Sequence, residues 1–361
     1  MNAPAVLLID TPVGPARITT PAPRAAWWEL ADGDPASHAT QTPAWLDCVC
    51  ATGPYRDVSR LYDFADGKRA VLPLVAHRRP PWRWATEASW PGEWGIGGPV
   101  TAGDFGPAQA AAVFADLAAR PALRVAVRFR PEDAHLWARC TPAGFRLEEH
   151  RAHVLDLDGG FAAVWERRFD QGVRRGVRRA ERSGLQVEVD RTGRLVPAFY
   201  DLFEQSIVRW AARQHEPLAL ARWRRTHAFP RHRLETVASR LGESCAIWMA
   251  WHAGEPAAAI VVLRHGRHAL FWRAAMNRDL AHPTRANHLL HRLVIEEACE
   301  AGCRRYDMGG SAQGASLARF KQSFGTEEFP SPLYYRERLP LHAADRALRR
   351  AAKRAIGFRG A

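Results

Sequence analysis

The sequence predicts an α/β chain in which one compact unit, helices packed on a mixed sheet, occurs twice. Three observations carry this expectation. Short apolar runs bounded by turn residues recur along the chain and read as strands. Amphipathic stretches of helical period separate them. The order helix, strand-turn-strand, helix, strand is met on both sides of Asp158-Gly159-Gly160. The length of 361 residues exceeds one ordinary core and suits two. Domains are therefore expected at 1–158 and 159–340, followed by a basic helix at 341–361.

In the first half, Trp27 to Leu30 and Pro43 to Cys50 read as short helices. Val58 to Phe64 and Arg69 to Val75 read as strands joined by the Ala65-Asp66-Gly67-Lys68 turn. A loop rich in Trp, Gly and Pro follows, with Trp82, Trp84, Trp90 and Trp94. Its tryptophans either wall a pocket or close a small hydrophobic cluster under the loop. Pro107 to Ala119 is an amphipathic helix closed by Arg120-Pro121. Leu123 to Phe129 is a strand, Glu132 to Thr141 a helix, and Phe145 to Leu157 contains strand.

In the second half, Phe161 to Arg182 is an arginine-dense helical segment ending at Gly184, a natural C-cap. Leu185 to Val189 is a strand, and Leu195 to Arg213 and Arg231 to Arg240 are helices. Cys245 to Trp251 and Pro256 to Leu263 form a hairpin, with His268 to Ala275 as the next strand. Asn287 to Ala301 is a helix with Leu289, Leu290, Leu293, Val294 and Ala298 on one face. Arg304 to Met308 is a strand, and a short helix then carries Arg319 and Lys321. The tail, His342 to Arg359, is a basic helix. Its apolar side, Ala344, Leu348, Ala351 and Ile356, is expected to dock by a few contacts.

Composition narrows the class. The apolar fraction, 47%, and the charged fraction, 25%, are those of a globular chain. No apolar run has the length of a membrane span, and the N-terminus lacks a signal-peptide pattern, so a cytoplasmic protein is expected. The six cysteines are scattered, with no Cys-x-x-Cys pair, and read as reduced; Cys299 and Cys303 read as small core residues. The net charge of +13 favours anionic partners, and equally fits a genome-wide preference for arginine. His288 and His291, three apart on one helix, lack a third ligand and predict no metal site.

The densest cluster of candidate functional residues runs from Arg285 to Gly325. A helix feeds a strand, the strand ends in Asp307 and a Gly309-Gly310-Ser311 turn, and a short helix carries Arg319 and Lys321. Polar groups just beyond a strand's C-terminal end lie where α/β sheets usually build sites. Arg285-Ala286-Asn287 with Leu289-Leu290, Tyr306-Asp307-Met308-Gly309-Gly310-Ser311, and Phe320-Lys321 with Phe324-Gly325 resemble the second domain of the Fem-type (FemAB-like) branch of the GNAT-like acyltransferases. Arg174 to Ala180 followed by Ser183-Gly184-Leu185 looks like that family's basic helix before a strand, and Arg209 falls where the family carries an arginine. Thr42-Pro43-Ala44-Trp45 and Gly97-Gly98-Pro99-Val100 extend a looser resemblance into the first half.

The resemblance implies two tandem GNAT-like acyltransferase domains, with the cleft built mainly by the second. It implies direct transfer of an acyl or aminoacyl group from an activated donor to an amine, with no covalent enzyme intermediate. No permanently bound cofactor is implied. The implied donor is aminoacyl-tRNA, acyl-CoA or an acyl carrier protein, and the acceptor a small-molecule or peptide amine. Such a reaction needs a cation or N–H donors at the developing oxyanion and a route for the amine proton. The resemblance gives the first role to Lys321. Asp307 has two readings: it orients or deprotonates the amine, or it caps the Gly309–Ser311 turn. Arg175, Arg178, Arg209, Arg285, Asn287, Gly309, Gly310, Ser311 and Arg319 are the candidate donor- and substrate-binding residues. The arginine-dense segment also fits a solvated helix face.

One departure from acetyl-CoA enzymes is evident. The segment ahead of the long helix, Asp279 to Asn287, contains no glycine, so a Gly-rich pyrophosphate loop is not expected. A different class also fits the residues, a non-catalytic GNAT-fold module whose basic surface binds RNA or another anionic surface.

Overall fold

A computed structural model describes residues 4–79, 85–101, 103–311, 316–355 and 357–358. The chain divides into two compact units, Met1–Ala152 with Phe329–Leu339, and His153–Glu328 with Pro340–Ala361. The sequence suggests a cut after 158 and assigns 329–339 to the second unit. Strand pairing returns that segment to the first.

The first unit opens with β1 (Ala5–Thr11) and β2 (Gly14–Thr20), a hairpin that the sequence pattern does not announce. Then come α1 (Arg24–Gly33), α2 (Pro43–Thr52), β3 (Tyr55–Asp57), β4 (Arg60–Phe64), β5 (Arg69–Leu72), β6 (Val75–His77), β7 (Thr86–Ala88) and β8 (Val100–Thr101). α3 (Pro107–Ala119), β9 (Arg124–Arg128), α4 (Ala134–Arg139) and β10 (Arg146–Glu148) complete it. α3 starts where expected because Pro107 sits at N1 and Gln109 Oε1 accepts from Gly106 N at 3.0 Å. The strands form two sheets, and the second includes a late strand from residues 333–337, which pairs with β9 and β10. Trp90 and Trp94 are buried, and Trp94 meets Trp45 edge to face at 5.2 Å. They serve as packing under the loop. Trp82 and Trp84 lie outside the described residues.

The second unit is built on one sheet. Its elements are β11 (Arg151–Asp156), α5 (Gly160–Ala163), α6 (Gln171–Glu181), β12 (Leu185–Asp190), α7 (Val196–Gln214), α8 (Leu218–Ala228), α9 (Arg231–Leu241), β13 (Cys245–His252), β14 (Glu255–His265) and β15 (His268–Met276). They continue with α10 (Arg278–Thr284), α11 (Ala286–Glu300), β16 (Arg305–Gly310), α12 (Ser316–Ser323) and β17 (Glu327–Pro330). The late strand of the first unit is β18 (Leu333–Glu337), and α13 (Leu341–Ala355) is the tail. The expected single helix from Phe161 to Arg182 is broken. A π-turn at residues 164–168 ends at an extended Phe169, and Asp170 then caps α6, accepting from Val173 N at 2.6 Å.

Strand order in this sheet is β12-β13-β14-β15-β16-β11-β17. Neighbours from β12 to β15 pair antiparallel, whereas β15 and β16 pair in parallel. Their register runs from His268↔Arg305 to Leu270↔Asp307, and β15 then continues to Met276. The two strands part at Asp307, so on the β15 side the end of β16 is open. α11 buries Leu290, Val294 and Ala298 against the sheet core. A fully buried leucine contributes roughly 1.5–3 kcal/mol.

The tail does not dock as expected. Ala344, Leu348 and Ala351 are exposed, Leu348 at 71%. Arg346, Arg349, Arg350, Lys353 and Arg354 surround Leu348, and Lys353 lies over the Phe358 ring at 4.8 Å. Ile356 and Arg359 lie outside the described residues. Among the described residues, no helix is long and apolar enough to cross a membrane.

Candidate active site

Interior strand β16 carries Tyr306, Asp307 and Met308 fully buried and runs on to Gly310; within it Gly309 has φ 71°, a left-handed conformation that favours glycine. Asp307 Oδ1 accepts from Gly309 N at 2.6 Å, the turn-capping geometry. α12 lays its apolar face inward, and Lys321 reaches back to the strand end. Its Nζ donates to Gly309 O at 3.0 Å and Gly310 O at 2.9 Å. An ammonium has three N–H donors, so these bonds leave one for a further acceptor. Lys321 is 2% exposed. Burial pulls its pKa down to about 8, with the Asp307 carboxylate opposing the shift.

An aromatic cluster is gathered about His291, whose ring feels the Lys321 charge. His291 accepts or donates at Nδ1 to the Tyr306 hydroxyl at 2.9 Å and packs on Phe271, Phe320 and Phe324. Burial, reinforced by His288 and Lys321, holds His291 at about 3 and keeps it neutral. His288 is held at about 4 by burial and by Arg285. Both rings turn inward, whereas the sequence pattern alone marks them as helix-face residues.

Beside this cluster lies a cavity of about 400 Å³ lined by Asp170, Gly172, Val173, Arg175, Gly176, Arg179, Arg285, His288 and Ser323. α6 and α11 come close here because residue 176 is glycine. A Cβ at that position would lie 2.7 Å from the His288 ring. Arg285, left-handed at φ 57°, ends α10 and opens α11. The cavity gathers the guanidinium groups of Arg175, Arg179 and Arg285 around a single carboxylate, Asp170, and this net positive charge favours an anion.

The expected site residues separate into groups. Lys321, Asp307, Gly309 and Gly310 are joined by hydrogen bonds. Arg175 and Arg285 line the cavity. Ser311 Oγ lies 2.6 Å from His153 Nε2. Arg209 donates to Met276 O at 2.9 Å and to Ser206 Oγ at 3.3 Å, and Asn287 donates to Met276 Sδ at 3.1 Å, so both brace the end of β15. Arg178 and Arg319 are exposed and line no part of the cavity. Sequence reasoning misses His153, Asp170 and Arg179. The Asp170 signal is present, an Asp preceding a helical run, whereas His153 looks like any histidine in an apolar strand.

Residues 167–322 match the model of a family described as an acetyltransferase (GNAT) domain. The second unit is a GNAT domain. The domain makes this chain an acyltransferase acting with an activated acyl co-substrate. Among solved structures, FemX is similar at a TM-score of 0.65 and 14% identity, over 90% of this chain and 98% of FemX. L-PGS from Bacillus licheniformis is similar at a TM-score of 0.52 and 16% identity, over 94% of this chain and 98% of L-PGS. At those identities the likeness concerns the fold alone, which this chain shares with FemX and L-PGS. No curated protein matches the sequence.

Proposed function

We propose that this GNAT domain transfers an aminoacyl group from aminoacyl-tRNA to an amine acceptor by direct attack. The observation that carries the reading is Lys321, a buried ammonium fixed by two backbone carbonyls at a strand end with one N–H to spare. The acceptor amine attacks the ester carbonyl, the C–N bond forms, and the C–O bond to the tRNA ribose breaks. Charge developing on the carbonyl oxygen is met by the spare Lys321 N–H, already oriented and desolvated. The Asp307 carboxylate, which also accepts from Gly309 N, sustains the charge of Lys321.

A nucleic-acid donor is favoured over acyl-CoA by two features. α10, with Pro283 inside it, occupies the segment ahead of α11 where a Gly-rich loop would cradle pyrophosphate. Arg175, Arg178, Arg179 and Arg182 are exposed along α6, with no ion pair among the described residues, and continue the basic cavity outward. Guanidinium groups spaced along a helix suit successive phosphates.

The test compares [14C]alanyl-tRNA with [14C]acetyl-CoA as donors, and Nα-acetyl-lysine amide as acceptor, for wild type and Lys321→Met. Transfer from alanyl-tRNA alone, abolished in the variant, is expected. Transfer from acetyl-CoA in preference to alanyl-tRNA overturns the donor assignment. Wild-type rates in Lys321→Met overturn the role of the lysine.

A further inference from the structure

Direct attack by an amine leaves a proton to dispose of. The tetrahedral intermediate carries a positively charged nitrogen, which must lose its proton before the leaving group departs. Lys321 is an ammonium and Asp307 is engaged by Gly309 N. Asp307 is 1% exposed and lies ahead of the strand end, so an acceptor that faces the substrate falls to the residues beyond it.

β11 supplies one. It lies between β16 and β17 in the sheet and carries His153, 1% exposed, in the run Ala152-His153-Val154-Leu155 whose neighbours are all buried. His153 Nε2 is 2.6 Å from Ser311 Oγ, the first side chain beyond the end of β16. Ser311 is half-buried and directly follows Gly310, whose carbonyl holds Lys321, and its hydroxyl meets the buried imidazole of His153. His153 Nδ1 is buried with no hydrogen-bond partner among the described residues. A polar histidine buried in an apolar strand is costly unless it is bonded, and among the described residues its side chain bonds this serine.

We propose that Ser311 and His153 form a proton relay for the acceptor amine. Ser311 Oγ takes the proton from the amine nitrogen while passing its own to His153 Nε2. The C–N bond has then formed, and collapse of the intermediate breaks the C–O bond to the leaving ribose. The proton returns from His153 through Ser311 to that oxygen, so the enzyme ends as it began. Ser311 is the group that touches substrate, and His153 acts through it. The relay rests on the acyl-transfer reading, but its protonation requirement does not depend on which donor is used.

The charged groups facing His153 are Lys321 of α12 and Glu328 of β17. Burial and the Lys321 ammonium lower the imidazole pKa, and Glu328 opposes them. The ring is therefore neutral at pH 7.5, and the relay requires the proton on Nδ1 and a bare Nε2. An imidazolium beside the Lys321 ammonium is short-lived, which drives the proton back to the leaving oxygen.

Two measurements decide the matter. In the full chain labelled with 15N-histidine, the resonance missing from His153→Gln identifies His153. A pyridine-type Nε2 at pH 7.5 is expected, with a shift in Ser311→Ala, where removal of the hydroxyl removes the bond. A pyrrole-type, protonated Nε2 overturns the relay whatever the donor. In the alanyl-tRNA assay, His153→Gln and Ser311→Ala are expected to lose roughly 10²-fold in kcat/KM, the lower range for a positioned general base. Imidazole added to His153→Ala is expected to restore part of the rate. A His153→Gln enzyme with the rate and acid-side pH profile of wild type overturns the relay. A wild-type chain inactive with both alanyl-tRNA and acetyl-CoA overturns the donor reading instead, while the 15N spectrum still judges the pair.

Discussion

Lys321 and the arginines of α6 are cations in one GNAT domain, held in opposite ways. Lys321 is buried, bonded to two carbonyls, and its pKa has fallen to about 8. Arg175, Arg178, Arg179 and Arg182 are exposed and lack ion pairs among the described residues. A desolvated, fixed charge acts strongly on what forms beside it, because the local dielectric is low. An exposed guanidinium acts weakly and through salt-screened attraction, which suits holding a polyanion in place. The difference teaches which positions serve chemistry and which serve binding.

The sharpest way to break the comparison is at Lys321. Lys321→Met should cut kcat/KM by roughly 10²–10³, the scale of removing one oxyanion donor, with little effect on KM. Its melting temperature should fall, since Gly309 O and Gly310 O lose a donor and the buried Asp307 carboxylate loses its counter-charge. Loss of the folded circular-dichroism spectrum at the assay temperature would make Lys321 a structural residue.

Next in size is the response to alkali. With Lys321 at about 8, raising pH through that value removes the ammonium, so kcat/KM should fall about tenfold per unit above it. A profile flat from pH 7 to 10 would mean that the charge on Lys321 is immaterial to the rate. On the binding side, Arg175→Ala and Arg179→Ala should each raise KM for alanyl-tRNA by about tenfold at low salt and leave kcat near wild type. Each should flatten the log–log salt dependence by about one unit or less for every phosphate left without its guanidinium. An effect confined to kcat would move these arginines into the chemistry.

The smallest effect concerns stability. His288 and His291 are held neutral at about 4 and about 3, below the ordinary histidine value of 6.5. The unfolded chain binds their protons first as pH falls. The stability they represent is complete above 6.5 and is lost progressively as pH drops toward 4 and 3. His291→Gln should lessen the slope of stability against pH between 6.5 and 4 in urea denaturation. An unchanged slope would show that His291 is protonated in the fold.

Much of the architecture is legible in the sequence because its signals are local. The β13–β14 hairpin, α3 and α11 follow from apolar spacing and from residues such as Pro107. The break at Phe169 is harder to see, since Asp170 capping competes with a continuous helical pattern on nearly equal terms. β1, β2, α8 and β18 escape a local reading, the last because its pairing with β9 joins residues far apart in sequence. At the site, the Asp307 to Ser311 turn and Lys321 are legible as a motif, and Arg175 and Arg285 as candidate binders. That Lys321 bonds Gly309 O and Gly310 O is not.

By itself the sequence determined the α/β class, the twofold plan, the basic character of α6 and the strand-turn-helix that bears Lys321. Those depend on periodicity and on turn residues, which act over a few positions. Tertiary structure alone decided that His153 meets Ser311 across 158 positions, that His288 and His291 turn inward, and that α6 closes on α11 through Gly176. Each of these is a contact between elements whose proximity is set by sheet order and core packing, and no local pattern encodes the partner of a buried polar group.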